Sequence, residues 1–178
     1  MPDDRLSDSL LQVRLLDTAD AAVYREVRLS ALRSDPLAFL TTADEFAARS
    51  LDSVADRLTP SDTATSFGAF LDGHLVGLLT LAREKPAIFA HRVNVFGVSV
   101  LSSARGRGCG DALMRAALTQ AMTWAGVTSL HLAVMDTQHA ARRLYERHGF
   151  TVWGTQPDAV RRDGQVLSEH WMWRALQP

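Results

Sequence analysis

The chain has 178 residues, 47% of them hydrophobic and 22% charged, with a formal net charge of -1, a balance that suits one globular domain burying roughly 70% of its unfolded surface. Its single cysteine, Cys109, rules out an internal disulfide and offers no four-ligand zinc spacing, which points to a reducing, cytoplasmic setting without a metal. The even charge, without a basic stripe interleaved with aromatics, argues against nucleic acid as a partner, and no apolar run approaches the roughly 20 residues that span a bilayer.

The acidic start MPDDRLSDSL reads as a solvated, flexible lead-in over residues 1–11, with one domain over 12–178, because a signal peptide would be basic and then apolar. Residues 12–17 alternate Val13 and Leu15 with polar positions and predict a strand. From Asp20 to Leu32, Val23, Val27 and Ala31 recur at four-residue spacing, predicting an amphipathic helix capped by Thr18 or Asp20. A break at Pro36 precedes one helix over 43–58, which stops before Pro60. Residues 66–84 read as two strands turning at Asp72-Gly73, and RVNVFGVSVL as a Val-rich strand. A glycine loop follows, then a helix from Asp111 to a left-handed stop at Gly126. SLHLAVMD is a strand, TQHAARRLYERHG a helix closed by Gly149, and FTVWGTQP and VLSEHWMWRAL the last two strands.

The loop Arg105-Gly106-Arg107-Gly108-Cys109-Gly110 joins a strand to a helix. Glycines allow close approach and positive φ, and a helix N-terminus carries partial positive charge, so the loop suits an anion such as phosphate. A P-loop would require Lys and Ser or Thr after the last glycine, and a dinucleotide fingerprint would require glycine at 111; Asp111 fails both. A turn that only links strand to helix is the plain alternative.

The loop resembles the pyrophosphate-binding pattern R/Q-x-x-G-x-G/A of GNAT acetyltransferases, through Arg105, Gly108 and Gly110. Farther along, Ala141 to Phe150 is similar to that family's A-x-x-L-Y-E-x-x-G-F signature. The resemblance implies an α/β (α+β) fold: a mixed, mostly antiparallel, splayed sheet of about seven strands flanked by four helices. It implies acetyl-CoA as cosubstrate, with its pantetheine arm along Val98 to Val100 and its pyrophosphate on residues 105–110. It also implies that Tyr145 protonates the departing thiolate. Helical spacing alone allows another reading of Tyr145, as a core residue on the face of Ala141, Leu144 and His148.

Two positions depart from the family pattern. Gln138 stands where an asparagine commonly contacts the cofactor arm, and residues 91–96 contain no carboxylate to deprotonate the amine. Candidate bases are therefore His91, Glu84, Glu169, His170 or a water. Cys109 reads as a small filler rather than a nucleophile, and Trp153, Trp171 and Trp173 as core, pocket or dimer residues. The expected function is transfer of acetyl to a primary amine of a small molecule or peptide, with a homodimer compatible with the family. The rivals are a non-catalytic acyl-CoA-binding sensor or interaction module and, on the loop alone, a nucleotide-binding regulator.

Overall fold

The computed structural model describes residues 10–176. Its elements in chain order are β1 (Leu11–Leu15), α1 (Ala21–Ser34), α2 (Ala43–Ala47), α3 (Leu51–Leu58), β2 (Ala64–Leu71), β3 (His74–Arg83) and β4 (Arg92–Val100). There follow α4 (Cys109–Thr123), β5 (Ser129–Met135), α5 (His139–Arg147), β6 (Thr151–Arg162) and β7 (Gln165–Ala175). The strands form one seven-stranded sheet in the order β1-β2-β3-β4-β5-β7-β6. Every neighbouring pair is antiparallel except β4 with β5, so the mixed, mostly antiparallel expectation holds. The predicted lead-in lies outside the described residues except for Leu10 and Leu11, and Leu11 already opens β1.

Apolar side chains cover both faces of the sheet. Leu113, Met114, Ala117 and Ala121 of α4, with Tyr145 and Phe150, pack on Leu79, Leu81, Val93 and Leu130. On the other face Val27 and Leu32 of α1, Phe46, Val54 and Leu58 close over Leu75 and Leu78. Each large apolar side chain removed from water contributes about 1.5–3 kcal/mol, so the two layers fix the helices on the sheet. Among the described residues no helix is long and apolar enough to cross a membrane.

The structure corrects four local expectations. The helix expected over 43–58 is two, because Ser50 is extended (φ -66, ψ 155) and its side chain accepts from the Ser53 amide, starting α3 afresh. The N-cap of α1 is Asp20, not Thr18, but its side chain caps no amide of α1, because it closes a capping box with Asp17 around the short turn before the helix. Val23 faces outward at 37% exposure, while Val27, Ala31 and Leu32 are buried. The strand expected to stop at Pro157 runs on to Arg162, since β6 is an edge strand whose register shifts between Gln156 and Val160 and a proline there need cost no ladder bond. The hairpin then turns at Asp163-Gly164, both at positive φ.

Candidate active site

The β4–β5 pairing is limited to Arg92 with Ser129, Val93 with Leu130, and Asn94 with His131. Beyond Asn94 the strands part. Gly97, at φ +64, lies within a bulge in β4, where the register with β3 slips between Thr80 opposite Phe96 and Leu78 opposite Ser99; a side chain would strain that conformation. β5 meanwhile stays in register with β7 along its whole length. The edge of β4 from Val98 to Val100 that faces β5 is therefore left without a strand partner, and it lines a cavity of about 1370 Å³. Ser99 also lines it, its hydroxyl buried and lacking a hydrogen-bond partner among the described residues.

At one end of this cleft lies the glycine loop. Gly106 and Gly108 sit at φ +74 and +79, and a Cβ would meet nothing within 4 Å at the first and only Leu11, at 3.9 Å, at the second. The glycines are thus required by backbone conformation and leave an open cradle. Arg105 Nε donates to the Val100 carbonyl at 3.3 Å, tying the loop back to β4. α4 starts at Cys109, so its first amides, which have no intrahelical acceptor, face the cleft with the positive end of the helix dipole. Arg105, Gly106, Gly108, Cys109 and Gly110 line the cavity, whereas Arg107, which is exposed, is not part of its lining. Cys109 is 2% exposed, its thiol near the Ala104 carbonyl and its pKa pushed up by burial, which makes it a protonated filler. An unpaired strand edge leading to amides beside a helix N-terminus fits a pantetheine arm and a pyrophosphate.

Tyr145 is both packed into the core and on the wall of the cleft. Its ring packs edge-on against Phe150 at 6.2 Å and is 6% exposed, yet the residue lines the cavity and its hydroxyl has no hydrogen bond among the described residues. Burial pushes its pKa up, so the phenol is protonated at neutral pH. Gln138 also lines the cleft, and its Nε2 donates to Asp35 Oδ1 at 3.3 Å, so part of its amide is spent joining the start of α5 to the loop after α1.

Of the candidate bases, Glu84 and Glu169 line the cavity and the two histidines do not. His91 is exposed, and its carbonyl accepts from the Thr128 and Ser129 amides. His170 Nδ1 lies 2.9 Å from Thr155 Oγ1, on the outer hairpin. Glu84 accepts from Asn94 Nδ2 at 2.9 Å and lies 4.0 Å from Arg92. Glu169, on β7 opposite Met135 of β5, has no hydrogen-bonded partner for its carboxylate among the described residues, and burial raises its pKa. Trp171 lines the cleft and leans on Trp153 at 6.3 Å, while Trp173 borders a separate shallow depression. No group of three His, Cys, Asp or Glu that could hold a metal occurs among the described residues.

The other end of the cleft was not legible in the sequence. Tyr24, Arg28 and Ala31 of α1 follow one another at helical spacing along its wall, with Phe39, Phe46 and Arg49. The loop that carries Phe39 is held by Arg162 of the β6–β7 hairpin, which donates to the Phe39 and Leu40 carbonyls at 2.8 and 2.9 Å and also to Pro36. A signal was present in Tyr24 and Arg28, polar-tipped residues one turn apart beside the apolar stripe of α1.

Comparison with known proteins agrees with this geometry. An L-amino acid N-acetyltransferase, AaaT, of Escherichia coli (strain K12) is 29% identical over 119 residues, which cover 67% of this chain and 73% of that protein. An acetyltransferase of the GNAT family from Streptococcus pneumoniae superposes with a TM-score of 0.79 at 21% identity, over 94% of this chain and all of that one. The yncA protein, a putative acetyltransferase from Salmonella typhimurium solved with its cofactor acetyl-CoA, gives 0.77 at 20% identity, over 94% of each chain. The model of the Acetyltransferase (GNAT) family matches residues 30–150, which include the splayed strands, the glycine loop and Tyr145, and the chain belongs to that family.

Proposed function

We propose that a single domain over residues 12–178 moves the acetyl group of acetyl-CoA directly to a primary amine of a small molecule or peptide. The observation that carries this is the unpaired β4 edge running from the glycine loop along a cavity that is lined by a protonated phenol and by the carboxylates of Asp35, Glu84, Asp111 and Glu169. The backbone of Val98 and Val100 would hydrogen-bond the arm of the cosubstrate, and the amides of residues 105–110 its pyrophosphate. The yncA structure with acetyl-CoA and the E. coli relative, named for an amine acceptor, support the two substrates.

Glu169 is assigned as the base. It has no hydrogen-bonded partner among the described residues, and burial moves its pKa toward neutrality, where a base works best, whereas Glu84 is already an acceptor for Asn94. As the amine nitrogen bonds to the acetyl carbon, its proton passes to Glu169. As the carbon–sulfur bond breaks, Tyr145 gives its hydroxyl proton to the sulfur, and the two groups return to their starting states through solvent. Holding both reactants in one cleft lowers the barrier further.

A non-catalytic acyl-CoA-binding module is the second reading, kept by the absence of a carboxylate on β4 from Arg92 to Val100. Turnover with a panel of amines separates them: acetylated product at rates proportional to enzyme supports the transferase, and none from folded, acetyl-CoA-binding protein supports the module. A homodimer and a cytoplasmic setting belong to the same proposal, supported by exposed Trp153, Val152 and Val166 on the outer hairpin and by the free Cys109 thiol. Light scattering would test the dimer.

A further inference from the structure

Arg28 lines the acceptor end of the cleft and, like Arg49 there, forms no ion pair among the described residues. Arg14 pairs with Asp20 and Arg92 approaches Glu84, but Arg28 has no carboxylate partner among the described residues. Its guanidinium lies 4.5 Å from the centre of the Phe39 ring and makes one long bond, 3.5 Å, to the Gly97 carbonyl. Burial pulls its pKa down, Tyr24 acts against that shift, and Arg49 nearby acts with it. A second cation beside a partly dehydrated one is unfavourable unless an anion joins them. Arg28 has five donors in a planar fork, most of them unspent, and both arginines line the cavity.

The anion is not the cosubstrate's pyrophosphate. Gly97 lies three residues before Val100, about 10 Å along β4, and the glycine loop lies beyond Val100, so Arg28 marks the opposite end of the cleft. We propose that Arg28, supported by Arg49, binds a carboxylate of the acceptor and thereby selects amines that carry a carboxylate on the adjacent carbon, the chemistry of a free α-amino acid. The fork matches a carboxylate bidentately, and the contact would set the amine at a fixed distance from the thioester. The inference rests on the acetyl-transfer reading above.

The test compares the standard L-amino acids with their C-terminal amides and with dipeptides, all at saturating acetyl-CoA, with kcat/KM expressed per unprotonated amine. Equilibrium binding of the same compounds to CoA-loaded protein is measured alongside. The expected result is an advantage of acid over amide of about tenfold to a hundredfold, with dipeptides behaving like amides. Arg28→Gln erases that advantage by slowing only the acids, Arg28→Lys restores part of it, and both variants keep their affinity for acetyl-CoA. Equal rates and affinities for acids and amides, dipeptides matching acids, no binding of any acid, or an equal loss for acids and amides in Arg28→Gln would each overturn the site. Carboxylate-selective binding without turnover would uphold the site and contradict the transferase reading, and turnover without selectivity would do the reverse.

Discussion

Asn94 and His131 are the last residues that β4 and β5 hold in parallel register, and everything the protein is proposed to do takes place where the strands part beyond them. A parallel pair that continued would satisfy the β4 edge internally and leave no room for a ligand. The bulge around Gly97 and the continuous β5–β7 ladder keep the gap open.

Tyr145→Phe keeps the buried ring against Phe150 and removes only the hydroxyl. Steady-state kinetics should show kcat reduced by about 10²-fold or more, the usual span of general-acid effects, with acetyl-CoA affinity and thermal midpoint unchanged. A variant with full kcat would return Tyr145 to a purely structural role.

If Glu169 accepts the amine proton, the rate must fall as pH drops through its pKa, which burial raises above the ordinary carboxylate range. The acidic limb of kcat/KM should therefore lie above that range, and Glu169→Gln should remove the limb together with most of the rate. Glu84→Gln serves as the comparison. Loss of the limb there instead would transfer the role to the carboxylate held by Asn94.

Arg162 fastens the loop around Phe39 to the β6–β7 hairpin through backbone carbonyls. Arg162→Ala should raise the KM for the amine severalfold while leaving acetyl-CoA binding unchanged, because the tether lies at the acceptor end only. Titration calorimetry and amine saturation curves distinguish this from a general loss of structure.

Asp20 is 8% exposed, accepts two bonds of 2.8 Å from Arg14 and one from the Asp17 amide, and is held chiefly by Arg14 below the usual carboxylate range. A depressed pKa contributes stability that is present above the unfolded value and is lost as pH falls through the folded one. Asp20→Asn should therefore cost about 1–2 kcal/mol at neutral pH. Denaturant titrations should show the gap closing as pH drops below about 4.

The place of the glycine loop on the cleft was legible because positive φ and free helix amides need glycines next to a helix start, and that of Tyr145 through the signature from Ala141 to Phe150, since its helical spacing alone also fits a core residue. The acceptor end was not legible. Arg28, Phe39 and Arg162 come from three distant segments, and only the tertiary packing of the β6–β7 hairpin on the loop after α1 brings them together. Glu169 was among the candidate bases read from the sequence, but only the pairing of β5 with β7 puts it, and not His91 or His170, on the cavity wall. The division of residues 43–58 into two helices was visible in principle, as Ser50 is a cap residue, but the apolar positions on either side masked it.

The most direct test of the account is calorimetric titration of the folded protein with acetyl-CoA, beside CoA, ATP and NAD, with Gly108→Glu as its partner. Gly108 holds φ +79 at the start of α4, so glutamate there strains the loop and sets a negative charge against the phosphates. The account predicts saturable binding of acetyl-CoA and CoA, weak or no binding of ATP and NAD, and loss of the acetyl-CoA signal in a Gly108→Glu protein that remains folded. Folded wild-type protein that fails to bind acetyl-CoA, or a Gly108→Glu variant that binds it as well as wild type, would contradict the account.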